Sequence, residues 1–238
     1  FMSVEFIVFF AILSFLTSLL TSIFSLGGGL IMLVALAQSF SPATLIPLHG
    51  SIQLANNFSR TLVYLEFFQW KLIKNIVIST MFGAVIGIYL FGTLPENLLV
   101  MVIAATILFL TWAPLDSLIL SVMKNDWFCG FISGFAGIFV GANGPLVTAY
   151  LRTKNLSPEV LVANHGAIMI FQHGIKIILF ASFFNFMILD YFIFILILAL
   201  TGYAGAILGR RLISKVPFKS FNIILKVFLT LLAFSLFF

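Results

Sequence analysis

The chain has 238 residues, 62% of them hydrophobic and 8% charged, with a net charge of +5. A soluble domain carries roughly 25% charged residues, so this composition excludes a globule covered by polar surface and makes a bilayer the fitting solvent. In hydrocarbon every backbone polar group needs an internal partner, which leaves helices or a closed barrel.

In chain order, breakers and charges predict helical pieces over 4–26, 29–40, 43–66, 71–92 and 96–119 in the first half. The second half gives 127–141, 144–154, 158–184, 187–212 and 218–238. Barrel strands alternate over about ten positions, whereas runs such as 98–113 and 191–200 are continuously apolar. The expected fold is therefore all-α: a polytopic helical membrane protein of about 8–10 helical segments, forming one integral membrane domain. The first stretch is too long for the h-region of a signal peptide and lacks a basic n-region, so it reads as a span. A single cysteine, Cys129, excludes an intramolecular disulfide and a CxxC site. The positive charge is what accumulation of Lys and Arg on the cytoplasmic side produces, so it does not call for a nucleic-acid partner.

The two halves resemble each other. Ile23-Phe24-Ser25-Leu26-Gly27-Gly28-Gly29 aligns with Ile138-Phe139-Val140-Gly141-Ala142-Asn143-Gly144, Ser41-Pro42 with Ser157-Pro158, and His49-Gly50 with His165-Gly166. Gly83, Gly87 and Pro95 match Gly205, Gly209 and Pro217 with identical spacing. These matches predict a duplication, with 1–120 as one repeat and 121–238 as the other. Lys71 and Lys74 follow the third piece of their repeat, but Arg210, Arg211, Lys215 and Lys219 follow the fourth piece of theirs. Both groups share the cytoplasmic face only if the repeats are inverted.

The pieces beside the glycine runs are short. Residues 127–141 make about 22 Å of helix against a hydrocarbon core of about 30 Å. The turns Gly27-Gly28-Gly29 and Gly141-Ala142-Asn143-Gly144, the second followed by Pro145 at the start of a helix, are therefore expected near the midplane, where non-helical backbone is tolerated only if it is buried in protein or lines a cavity. Each opens a helix, so free N–H groups and the positive end of a helix dipole would face that cavity and suit an anion.

The third piece of each repeat carries a polar stripe. His49, Gln53, Asn56, Asn57 and Arg60 recur at i, i+4, i+7, i+8 and i+11, on one helical face. His165, Gln172, His173 and Lys176 occupy the equivalent face, with Met169 in place of Gln53. Ionisable residues within a span are costly and normally face a cavity or the bundle interior. Neither stripe holds a carboxylate, which again favours an anion. For Arg60 a snorkelling position at the interface fits equally well, and for His49 and His165 so does helix packing. No GxSxG, HExxH or P-loop signature is present. No enzyme, metal site or cofactor is expected.

Gly27-Gly28-Gly29 after the first span, Gly130-Phe131-Ile132-Ser133-Gly134-Phe135-Ala136-Gly137 leading into Gly141-Ala142-Asn143-Gly144-Pro145, and the duplicated organisation together resemble the sulfite exporter TauE/SafE family, also described as the TSUP transporters. The resemblance runs over essentially the whole chain. It implies membrane transport of sulfite or an organosulfonate, usually export, across a bacterial inner membrane. Two departures stand out. The second turn has Ala142 and Asn143 where the family often has glycines. The family is also commonly described as two four-helix repeats, whereas the charges here favour inverted copies with an extra short helix. The expected partners are a small anionic substrate, the lipid bilayer and a coupling ion, proton or sodium; a homo-oligomer is compatible with the sequence. An anion channel, or an uptake carrier for another small organic or sulfur-containing anion, is the alternative function.

Overall fold

The computed structural model describes residues 2–25, 27–113, 125–141, 143–213 and 230. Among these residues there are nine α-helices and no strand. The first five are α1 (Val4–Phe24), α2 (Gly28–Ala37), α3 (Pro42–Val63), α4 (Trp70–Phe91) and α5 (Glu96–Trp112). The remaining four are α6 (Asp126–Val140), α7 (Gly144–Arg152), α8 (Pro158–Phe184) and α9 (Phe192–Leu212). The expected piece at 218–238 and the end of that at 96–119 lie outside the described residues, apart from Thr230.

Local chemistry sets the boundaries. Ser3 Oγ accepts from Phe6 N at 3.2 Å, and Asn125 Oδ1 accepts from Phe128 N at 2.8 Å, each satisfying a first-turn donor. Pro42, Pro145 and Pro158 stand at the first positions of α3, α7 and α8, where a missing N–H costs nothing. α1 stops at Phe24, two residues short of the expected end, because Ser25 turns left-handed at φ 59°. α3 ends at Val63, capped by Tyr64, and Leu65 and Glu66 belong to a separate 3₁₀ turn, Leu65–Phe67.

Four segments are long and apolar enough to cross a membrane: Val4–Phe24, Trp70–Phe91, Pro158–Phe184 and Ile188–Leu212. Their outward faces leave large apolar side chains such as Phe82, Ile178 and Leu200 more than half exposed. In water each such side chain would forfeit about 1.5–3 kcal/mol of burial; in lipid that cost disappears. The chain is an integral membrane protein.

Contacts at the helix termini give the directions. At one end Phe6 meets Phe40, Phe40 meets Tyr191, and Phe91 meets Phe184, with ring centroids 5.3–6.2 Å apart. At the other end Arg210 donates to Glu66 and to the Val63 carbonyl, and Asp126 takes Lys154 Nζ at 3.2 Å and Asn75 Nδ2 at 3.5 Å. α1, α3 and α9 run from the aromatic end to the charged end; α4, α6 and α8 run the opposite way. α2 returns from the interior to the aromatic end, and α7 from the interior to the charged end.

α1 packs on α9, α4 on α6, and α3 on α8 at the centre. The two outer pairs meet backbone to backbone. A Cβ on Gly83 would lie 2.0 Å from the Phe131 carbonyl oxygen, and one on Gly205 would lie 2.3 Å from that of Phe15. These glycines serve close packing, as expected of small residues in membrane helices. Met32, Leu33, Ile46, Leu48, Val147 and Ile168 fill the interior around α2, α3, α7 and α8.

Candidate functional site

The two interrupted segments meet inside the bundle. Gly27 has φ 91° and Gly141 φ 74°, a region that strains any residue bearing a Cβ. These angles let the chain reverse within the span and open α2 and α7. Neither Gly27 nor Asn143, the residues preceding those helices, makes a side-chain cap bond. In α2 the N–H groups ahead of Ile31, and in α7 that of Gly144, are left for whatever occupies the space between the helices; Pro145 has no N–H, and Leu146 N donates to the Asn143 carbonyl at 3.1 Å.

The stripe histidines support the openings in the same way. His49 Nε2 donates to the Gly29 carbonyl at 2.9 Å, and His165 Nε2 donates to that of Gly144 at 3.3 Å. Each imidazole ties the central helix of its half to the start of the short helix. His173 stands edge-on to His49, with centroids 6.0 Å apart.

A cavity of about 30 Å³ lies between these elements, and a water needs about 10–15 Å³. The space suits a solute of a few heavy atoms. Its walls include ten of the residues expected at the site: Gly27, Gly29, His49, Gln53, Asn57, Arg60, Gly144, Pro145, His165 and His173. Thr21, Ser25, Leu30 and Met169 complete the lining. The sequence did carry a signal for the hydroxyls: Ser14, Thr17, Ser18, Thr21, Ser22 and Ser25 recur along the buried side of α1. Met169 was marked by its place on the second stripe, at the position equivalent to Gln53, whereas Leu30 is an ordinary apolar residue without such a signal.

The other five expected residues do not line the cavity. A Cβ on Gly28 would lie 2.1 Å from the Thr17 carbonyl oxygen, so Gly28 is a packing position against α1. Asn56 Nδ2 donates to Ser14 Oγ at 3.1 Å. Gln172 Nε2 donates to Ser133 Oγ at 2.8 Å and Thr80 Oγ1 at 3.0 Å, and its Oε1 accepts from Asn143 Nδ2. Asn143 Nδ2 also donates to the Ser133 carbonyl at 2.6 Å, so this amide braces the turn from behind. Lys176 Nζ donates to the Gly141 carbonyl at 2.9 Å and stands 3.4 Å from His173 Nδ1.

Arg60 is 2% exposed, which removes the snorkelling position. Its Nη2 donates to Asn57 Oδ1 and lies 3.5 Å from His165 Nδ1, while its Nε has no hydrogen-bond partner. His49 Nδ1 is likewise buried without a partner. A buried polar atom left unpaired costs about 1–3 kcal/mol, and here two of them flank one cavity. The buried polar residues among those described include Arg60 and Lys176 but no Asp or Glu. Neither cation pairs with a described carboxylate. One buried cation on the wall, Arg60, with uncapped helix starts and amide side chains around a small void, forms an arrangement that can take up a small anion.

No curated protein and no solved structure matches the chain. The model of the sulfite exporter TauE/SafE family matches residues 10–236, which takes in both glycine turns and both central helices. The chain belongs to the sulfite exporter TauE/SafE family, a family of membrane transporters.

Proposed function

We propose that this protein is a secondary transporter that carries a small anion, sulfite or an organosulfonate, through the cavity between the two glycine turns. The observation that carries the reading is Arg60: a buried guanidinium on the cavity wall, with an unpartnered Nε and no described carboxylate beside it. An anion docked there would take the Nε donor, the first-turn N–H groups of α2, the Gly144 N–H at the start of α7, and the Gln53 amide. The cavity volume favours an ion the size of sulfite over a larger organic acid. Sulfite and the export direction follow the family description, and the organosulfonate and a bacterial inner membrane belong to this proposal.

Alternating access follows from two halves of opposed direction. α1 and α6 run opposite ways, as do α3 and α8, and α4 and α9, consistent with inverted repeats divided near residue 120. Movement of one half against the other would then expose the cavity to the two faces in turn.

The test is uptake of radiolabelled sulfite, and of a small sulfonate, into proteoliposomes holding only this protein. Saturable flux, with competition between anions and none from cations, supports the reading. Flux that never saturates, accompanied by unitary currents, makes the protein a channel. Absence of flux for both anions, under either gradient, removes the anion assignment.

A further inference from the structure

The two helix starts at the central cavity offer an anion different surroundings. At the start of α2 the N–H groups ahead of Ile31 stand open, and the Gln53 amide lies beside them: a Cβ on Gly29 would be 3.8 Å from Gln53 Cδ and Oε1. At the start of α7, Gly144 offers one N–H and Pro145 none. The side chain above that start is Met169, whose Sδ would be 3.9 Å from a Cβ on Gly144. Gln53 and Met169 occupy equivalent positions, each one turn beyond the histidine of its central helix, and both line the cavity. Thus the two halves, alike in backbone, present an amide at one helix start and a thioether at the other.

A buried anion oxygen needs a donor, because it has given up its water. Arg60 Nε, the α2 N–H groups, the Gln53 amide and the Gly144 N–H are the donors available. Neither the Met169 thioether nor the Pro145 ring can donate. These two wall residues flank Gly144, so one face of the cavity is built from side chains that cannot satisfy an oxygen. Oxyanions of sulfur differ in what they would put there. Sulfite has three oxygens on one side of the sulfur and a lone pair on the other. A sulfonate carries its carbon in the lone-pair direction, and sulfate carries a fourth oxygen.

We propose that Met169 is the specificity-determining residue of the central site. Together with Pro145 it receives the lone pair of sulfite or the carbon of a small sulfonate, and it rejects sulfate, whose fourth oxygen would be buried against a thioether. The proposal rests on the central cavity being the anion site. A charged oxygen buried without a partner separates two substrates more strongly than a difference in size does.

The test uses the full chain in proteoliposomes, with uptake of radiolabelled sulfite competed by unlabelled sulfite, methanesulfonate or sulfate. In the parent, half-inhibition by sulfate should need at least tenfold more anion than half-inhibition by sulfite or methanesulfonate. Met169→Gln, which places an amide donor at this face, should lower the sulfate-to-sulfite ratio at least fivefold. Met169→Leu keeps an apolar side chain of similar volume and should keep the ratio within twofold of the parent. A parent that takes sulfate as readily as sulfite overturns the proposal, as does a Met169→Gln ratio equal to that of Met169→Leu; either result leaves the central site standing. If Met169→Gln does not insert, Met169→Thr carries the same comparison with a smaller donor. A parent that moves no sulfite removes the central-site reading, and the assignment of Met169 falls with it.

Discussion

At the residue scale, Arg60 and Lys176 occupy matching positions on the two central helices but hold different partners. Arg60 borders the cavity, and Lys176 reaches it only through His173 and the Gly141 carbonyl. Replacing Arg60 with Met should therefore abolish saturable anion flux, while Arg60→Lys retains part of it, since a point charge lacks the guanidinium's fixed donor geometry. Lys176→Met should lower flux at least tenfold with normal membrane levels. The loss would come from a turn whose Gly141 carbonyl has lost its donor, an effect of about 1–3 kcal/mol. Flux assays in proteoliposomes check both. Flux within twofold of the parent would remove Lys176 from the transport machinery.

Elements meet where side chains are smallest, and this separates glycines that look alike in the sequence. In the first turn, Gly28 has no room for a Cβ beside Thr17, whereas a Cβ on Gly29 would find Gln53 atoms only at 3.8 Å. Gly28→Ala should destabilise the turn by about 1–3 kcal/mol, the usual cost of overpacking. Gly29→Ala should fold normally and alter anion affinity, because its methyl group points towards the Gln53 side chain at the cavity. Thermal unfolding in detergent together with a flux assay distinguishes the two effects. In the helix pairs, Gly83→Ala and Gly205→Ala push a methyl group into the Phe131 and Phe15 carbonyl oxygens. Both should lower the unfolding temperature; if either is neutral, that pair is looser than the contacts indicate. The glycine runs were legible in the sequence as breaks, since few other residues tolerate the left-handed backbone. Their division into packing and lining positions was not legible, because it depends on which neighbour α1 and α3 present.

At the scale of the whole molecule, the proposed inverted arrangement of the two halves makes a prediction about sidedness. Thr93 and Asp190 both lie in exposed connections at the aromatic end, and Lys71 and Lys154 are exposed at the charged end. Single cysteines at 93 and 190 should react with an impermeant reagent from one face of the membrane, and cysteines at 71 and 154 from the other. Reaction of 93 and 190 from opposite faces would rule out the inverted arrangement. Composition alone determined that the solvent is lipid, because a chain with so few charged residues cannot cover itself against water, and the continuous apolar runs then excluded a barrel in favour of helices. Spacing alone located the two turns and the two stripes, because backbone reversal and helical periodicity are local properties. Only the tertiary structure decided which stripe residues face the cavity. Asn57 and His173 do, while Asn56 and Gln172, one residue away, turn to hydroxyls on neighbouring helices. Adjacent residues on a helix point about 100° apart, so a stripe this wide must be shared between cavity and packing, and the position of the neighbouring helices settles the division.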